Sequence, residues 1–181
     1  MNLCIMIRMK PLSRRILSVL LLLMSFGHTT GCGYYSLSGT SIDEKIKRIA
    51  IPAIEDQSNS GQPALGDVLS NALVNKFVRQ TRLRLMQNDF DADVVVLCTI
   101  RQYTNQPTAV SSTEQATRNR VSLVVTATYT SQLEQKELFR RDFSQSAEYD
   151  PNDSRKTEYQ TAKEVLENIA NDIFTAATSD W

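Results

Sequence analysis

Cys32 stands in the stretch HTTGCGYYSLSGT, His28 to Thr40, between two glycines and just ahead of Tyr34 and Tyr35. A cysteine so placed can ligate a metal, close a disulfide, pack in a core or carry an acyl chain. Two other sets of residues have the types and spacing for chemistry. Asp89, Asp91 and Asp93 alternate in DFDAD, and Arg101, Arg118 and Arg120 flank the polar stretch 104–117.

The donor set argues against a metal. The single histidine, His28, precedes Cys32, so zinc would fall to two thiolates, Cys32 and Cys98, plus carboxylates, a poor structural set. DFDAD lacks the further oxygen ligands and the closing glutamate of a calcium loop. Those acids are expected to end a turn and face water. The sequence has no GxSxG elbow and no glycine-rich phosphate loop, and beyond Cys32 it has no histidine to move protons. The chain therefore reads as a non-enzyme without a cofactor or metal. A Cys32–Cys98 disulfide is open to an exported domain, although the spacing suggests no disulfide framework.

The arginines carry two readings. If 94–103 pairs with 118–130, Arg101, Arg118 and Arg120 converge at one end of a sheet, where guanidinium forks suit phosphate groups or a charged partner. Alternatively they are solvated strand ends, paired with acids such as Glu114.

What precedes Cys32 is a leader by pattern. Arg8, Lys10, Arg14 and Arg15 come without any acid and are followed by the apolar run Ile16 to Met24. As a helix that run spans about 14 Å, roughly half of a bilayer's hydrocarbon core. Basic, apolar and then small residues make a signal peptide over 1–31. The leader holds four of the 20 basic residues and none of the 20 acidic ones, so 16 and 20 remain and the formal charge becomes −4. That balance gives no broad reason to bind nucleic acid.

The elements that must hold the candidate residues follow from periodicity. Residues 32–46 read as a tether and 47–181 as one domain. Lys47 to Ala53 is a strand ending near Pro52, and Glu55 to Gln62 is a loop. A helix opens at Pro63 and runs to about Gln80, with Leu65, Leu69, Ala72, Leu73 and Phe77 on one stripe. Arg82 to Gln87 is an edge strand, and Asp93 to Tyr103, dense in β-branched residues, is a strand covered on both faces near Val94 to Val96. Stretch 104–117 is a loop or the ends of two long strands. Arg118 to Thr130 alternates cleanly, Lys136 to Ser146 follows it, and Glu148 to Ser154 is a polar break. A helix from Arg155 to about Ala177 has a broad apolar stripe, six of whose large side chains contribute about 1.5–3 kcal/mol each on burial. The fold class is α+β, a two-layer α/β sandwich: a mixed, mostly antiparallel sheet with two helices packed on one face.

The order GCGYYSLSG (31–39), IKRIAIPAIEDQS (46–58), ALGDVLSNALVNKFV with TRLRL (64–85), DADVVVLCTIRQY (91–103) and VSLVVTATYT (121–130), closed by an amphipathic helix before Asp180-Trp181, resembles the lipopolysaccharide-assembly lipoproteins, in particular Bacteroidetes-like members. The resemblance implies that Cys32 is lipidated after cleavage and that Gly33 sorts the protein to the outer membrane, on its periplasmic side. It implies a non-catalytic plug for a large β-barrel translocon, with lipopolysaccharide as a further partner and no nucleic acid. No family motif assigns a lipid-contacting residue, so Arg101, Arg118 and Arg120 stand on their spacing. A stand-alone periplasmic ligand-binding lipoprotein, or a structural envelope lipoprotein, is the alternative.

Overall fold

A computed structural model describes residues 42–62, 64–110 and 116–179. The expected signal peptide, Cys32, Gly33, Tyr34 and Tyr35 lie outside these residues, as does most of the expected tether. Six strands form one sheet. β1 (Arg48–Ala50), β2 (Glu55–Asp56), β3 (Arg84–Met86), β4 (Val94–Val110), β5 (Ala116–Ser131) and β6 (Lys136–Tyr149) accompany two α-helices, α1 (Leu65–Phe77) and α2 (Glu158–Ser179). The main order is β3-β1-β4-β5-β6, and β2 lies further along the same edge of β4 as β1. β3, β1 and β4 run parallel, whereas β4, β5 and β6 form an antiparallel meander.

Alternation decides which side the helices cover. Val94, Val96, Cys98 and Ile100 of β4 and Val121, Leu123, Val125, Ala127 and Tyr129 of β5 are buried with Ile49 against both helices. α1 contributes Leu65, Leu69, Leu73 and Phe77, and α2 contributes Val165, Leu166, Ile169, Ile173 and Phe174. The Phe77 ring meets Phe174 edge-on at 5.1 Å and stacks with Tyr129 at 6.5 Å, which fixes the helices against each other and against the sheet. Gly66 permits the approach of α1 to the strand edge, since a Cβ there would lie 2.6 Å from the carbonyl oxygen of Ile54. Two helices on one face of a mostly antiparallel sheet is the α+β sandwich expected from the pattern.

The elements differ from expectation where local chemistry intervenes. β1 stops before Pro52 and lies inside the sheet, because β3 pairs on its other side. Glu55 and Asp56 are not loop: they pair with Thr99 and Ile100. α1 begins at Leu65 rather than Pro63 and ends three residues short of Gln80. α2 begins at Glu158, not Arg155, because Thr157 and Gln160 close a capping box, each side chain accepting from the other's backbone N–H at 3.2 and 2.9 Å. The polar break starts later than expected, since β6 continues through Glu148 and Tyr149, paired with Arg120 and Asn119. In 104–117, by contrast, one of the two expected readings holds for the described part: β4 extends to Val110 and β5 starts at Ala116, the ends of two long strands.

The opposite face of the sheet is largely open. Val95, Ala50 and Ala92 pack there with Met86 beneath the connection that runs from β3 to β4, which explains the double cover at Val95. Cover ends quickly: Leu97 is half-exposed and Phe90, at the tip of that connection, is 99% exposed. No helix among the described residues is long and apolar enough to cross a membrane.

Candidate functional site

Asp93, expected to face water with Asp89 and Asp91, is instead buried. Its carboxylate accepts from the Lys47 and Arg48 amides, both at 2.9 Å, and from Nε and Nη2 of Arg48 at 3.1 and 2.6 Å. Its own N–H donates to the Arg48 carbonyl, and its carbonyl accepts from the Gln132 N–H. The Asp93 side chain is 6% exposed and that of Arg48 48%. Burial pushes the Asp93 carboxyl up, but the Arg48 guanidinium and the two amides outweigh it and hold the group below the usual carboxylate range. Asp93 therefore ties the entry to β1 to the starts of β4 and of the β5–β6 turn. Asp89 and Asp91 occupy the short 3-10 turn before it.

The three predicted arginines do not form one cluster. Arg118 and Arg120 share Glu148: Arg120 Nη2 donates at 2.7 Å to one carboxylate oxygen and Arg118 Nη1 lies 3.9 Å from the other. Chiefly through the Arg120 hydrogen bond, with burial opposing it, Glu148 is held below the usual carboxylate range. Both guanidinium groups stay accessible, at 64% and 51% exposure. They lie on the outer stretch of the β4–β5 arm, where Gln106 pairs with Arg120 and Ala109 with Arg118. Arg101 sits about four residue pairs back along the arm, roughly 14 Å by strand rise. Among the described residues the acid that answers the outer arginines is Glu148, brought over by the unforeseen extension of β6; Glu114 lies outside those residues.

Arg101 is the extra residue of a bulge, since the register shifts between Ile100 and Gln102. Bulges re-aim side chains. Here Nη1 of Arg101 donates to Oε1 of Gln57 at 2.5 Å. Arg101 lines a polar cleft of about 450 Å³ on the open face with Thr99, Thr126, Arg140, Arg141 and Asp142. Thr99, Thr126 and Asp142 make a row straight across β4, β5 and β6. Only the RRD spelling of 140–142 pointed this way in the sequence.

Beneath the arm the helix side is closed by polar contacts. Tyr103 Oη donates to Glu158 at 2.6 Å, Gln62 reaches the same oxygen at 3.1 Å, and the Asn105 and Asn119 amides donate to Tyr149 Oη at 2.9 and 3.3 Å. Cys98 is a free thiol in the core, its pKa pushed up to about 12 by burial, which makes it an unreactive packing residue. Among the described residues no three His, Cys, Asp or Glu side chains gather as a metal set.

The family model for lipopolysaccharide assembly, LptE, matches residues 46–177. That range runs from the entry to β1 to the last turns of α2. The chain belongs to the LptE family. LptE proteins are non-catalytic outer-membrane lipoproteins of lipopolysaccharide transport and membrane biogenesis that work with a β-barrel translocon. The family match carries nothing specific to Bacteroidetes-like bacteria. No curated protein matches the sequence significantly.

Solved structures share the fold at low identity. A Xanthomonas campestris protein is 11% identical with a TM-score of 0.54, covering 75% of this chain and 85% of its own. Lipoprotein B from Nitrosomonas europaea is 11% identical with a TM-score of 0.53, covering 74% and 83%. PelC from Paraburkholderia phytofirmans, a dodecamer, is 10% identical with a TM-score of 0.52, covering 77% and 93%. At such identities these likenesses speak for the LptE chain's fold alone.

Proposed function

We propose that this LptE-family chain is the plug subunit of an outer-membrane lipopolysaccharide translocon, held on the periplasmic side by a lipid on Cys32 and seated in its β-barrel partner. The observation that carries the reading is the family match over 46–177. Two features support it. The open sheet face and the β4–β5 arm present Thr, Ser, Asn, Gln and Arg rather than a broad apolar patch, as a part seated in a polar barrel lumen requires. Among the described residues the arm also holds two accessible guanidinium groups beside one carboxylate, which suits a phosphorylated glycolipid or an acidic partner loop.

In this reading 1–31 is removed, 32–46 is the tether and 47–181 is the working domain. Arg118 and Arg120 contact lipopolysaccharide or the barrel from the arm, and Arg101 does so from the open face. The Bacteroidetes-like lineage belongs to the same proposal and rests on the sequence resemblance.

Depletion of the protein tests the reading: newly made lipopolysaccharide stops reaching the cell surface, and unchanged delivery refutes the role. Intact-mass measurement tests the anchor. The mature chain starts at Cys32 with an added diacylglyceryl mass, and Cys32→Ala leaves an unprocessed precursor. A soluble product starting elsewhere would exclude the lipid.

A further inference from the structure

We infer that the outer edge of β6 pairs with the same edge of a second copy of this chain, antiparallel and about a two-fold axis at Ser144. Among the described residues no strand lies beyond β6, which ends the order β3-β1-β4-β5-β6. From Phe139 to Tyr149 its eleven residues pair without a break with Tyr129 to Asn119 of β5. In an antiparallel ladder alternate residues turn their N–H and C=O to opposite sides, so about half of this stretch holds both groups toward the outer edge. Proline and bulges commonly interrupt such an edge. This stretch has no proline, and the register shift in β6 lies before it, at Leu138.

Side-chain faces and charge fix the register. Directly opposed residues leave a sheet on the same side, so the even-numbered residues, which share the open face with Thr126 and Thr128, must meet even-numbered residues of the second copy. The axis therefore passes through a residue. An axis at Arg140, Arg141 or Asp142 sets two like charges against each other, and one at Gln145 sets Asp142 against Glu148. An axis at Phe143 shortens the ladder and gives Arg140 only a serine, Ser146. Ser144 is the midpoint of the regular stretch, so all of it pairs and no like charges meet. Arg140 then faces the second copy's Glu148, Asp142 faces its Ser146 and Phe139 faces its Tyr149, each contact being made twice by symmetry.

The groups brought together have capacity left for these contacts. Arg140 is exposed and forms no ion pair among the described residues. Arg120 takes one oxygen of Glu148 at 2.7 Å while Arg118 stays 3.9 Å from the other, so the second oxygen can accept from an incoming guanidinium. Thr126 donates to one oxygen of Asp142 at 2.6 Å and leaves the other for the Ser146 hydroxyl. Arg141 is drawn 4.9 Å over its own Phe139 ring and comes opposite Ala147. With the axis perpendicular to the sheet, both copies keep their helices on the same face. The contact uses the same patch of each copy and closes on itself.

The pairing concerns the chain on its own and does not rest on the translocon reading. The test uses the full mature chain, purified alone in mild detergent, with single cysteines on β6 and a mild oxidant. Across the axis two Ser144 Cα atoms lie about 4.5–5.5 Å apart, within disulfide reach. Two copies of Asp142, or of Ser146, lie four positions out of register, roughly 14 Å apart. Ser144→Cys therefore gives a disulfide-linked dimer, and Asp142→Cys or Ser146→Cys alone gives at least about tenfold less, whereas mixing those two variants restores the link. Arg140→Glu added to Ser144→Cys lowers the linked fraction several-fold, and Arg140→Lys retains it. Cys98 is buried, so the chain without an added cysteine supplies the background. Melting curves confirm that each variant is folded. A folded Ser144→Cys chain that stays monomeric overturns the pairing, as does an Asp142→Cys chain that links to itself as readily. If the chain alone stays monomeric and a benzophenone probe on Ser144→Cys in outer membranes labels a barrel protein, the edge belongs to the barrel and the second copy is refuted. Recovery of a barrel by the wild-type chain is read separately, so either proposal can fail while the other stands.

Discussion

Asp93 and Glu148 are both carboxylates answered by arginine, yet one stands where the chain enters the sheet and the other on the arm that leaves it. Asp93 is nearly enclosed and accepts two backbone amides in addition to a guanidinium. Glu148 is a third exposed and accepts from side chains only. Removing Asp93 takes the shared acceptor from two part-buried backbone amides and a half-exposed guanidinium; removing Glu148 exposes two arginines to solvent that already reaches them. The same pair chemistry therefore fixes the fold at one end and leaves charge available for contact at the other. Stability and the proposed contact occupy different ends of one sheet.

The largest expected effect is at the buried end. Asp93→Ala lowers unfolding stability by about 2–3 kcal/mol, the range for breaking a largely buried, multiply bonded carboxylate whose cation stays half in water. Urea denaturation reads this directly, and an unchanged midpoint would remove the distinction between the two ends. The pH dependence sharpens it. With the folded Asp93 carboxyl held below its ordinary value, its stabilisation is fully present above about pH 4, where the unfolded group titrates, and is lost as pH falls through the folded value. Melting curves between pH 2 and pH 6 should show wild type losing stability in acid and Asp93→Asn, weaker from the start, following a flatter course. Glu148 shifts in the same direction, but it is a third exposed and pairs with arginines that are more than half exposed, so Glu148→Gln leaves most of that acid sensitivity in place.

The smallest effect on stability is expected on the arm. Arg118→Gln with Arg120→Gln leaves the melting temperature within about 1 °C, as exposed ion pairs contribute little. The same double variant lowers delivery of lipopolysaccharide to the surface when it replaces the native protein. A variant that melts early but delivers normally would place the arm with the structural end instead.

Much of this division was legible in the residues. The stripe from Val165 to Ala177 and the alternation from Val121 to Tyr129 declare the faces that meet, because burial of those side chains dominates any other local preference. Thr157 and Gln160 carried a helix-start signal that the apolar stripe overshadowed. The evenly alternating acids of DFDAD do not set Asp93 apart from Asp89 and Asp91; the donors that make its burial tolerable come from residues 45 and 46 positions earlier, joined only when β1 lies beside β4. The arginines show the same limit. Their spacing brought Arg118 and Arg120 together, and the longer β6 supplies Glu148 to them, whereas Arg101, further back on β4, lines the cleft with Arg140 and Asp142.

The translocon assignment is tested most directly by what the intact, lipid-bearing protein brings with it when extracted from outer membranes in mild detergent and captured by a C-terminal tag. The account predicts stoichiometric recovery of one large outer-membrane β-barrel protein. A clean monomer carrying a small lipid and no barrel would contradict it.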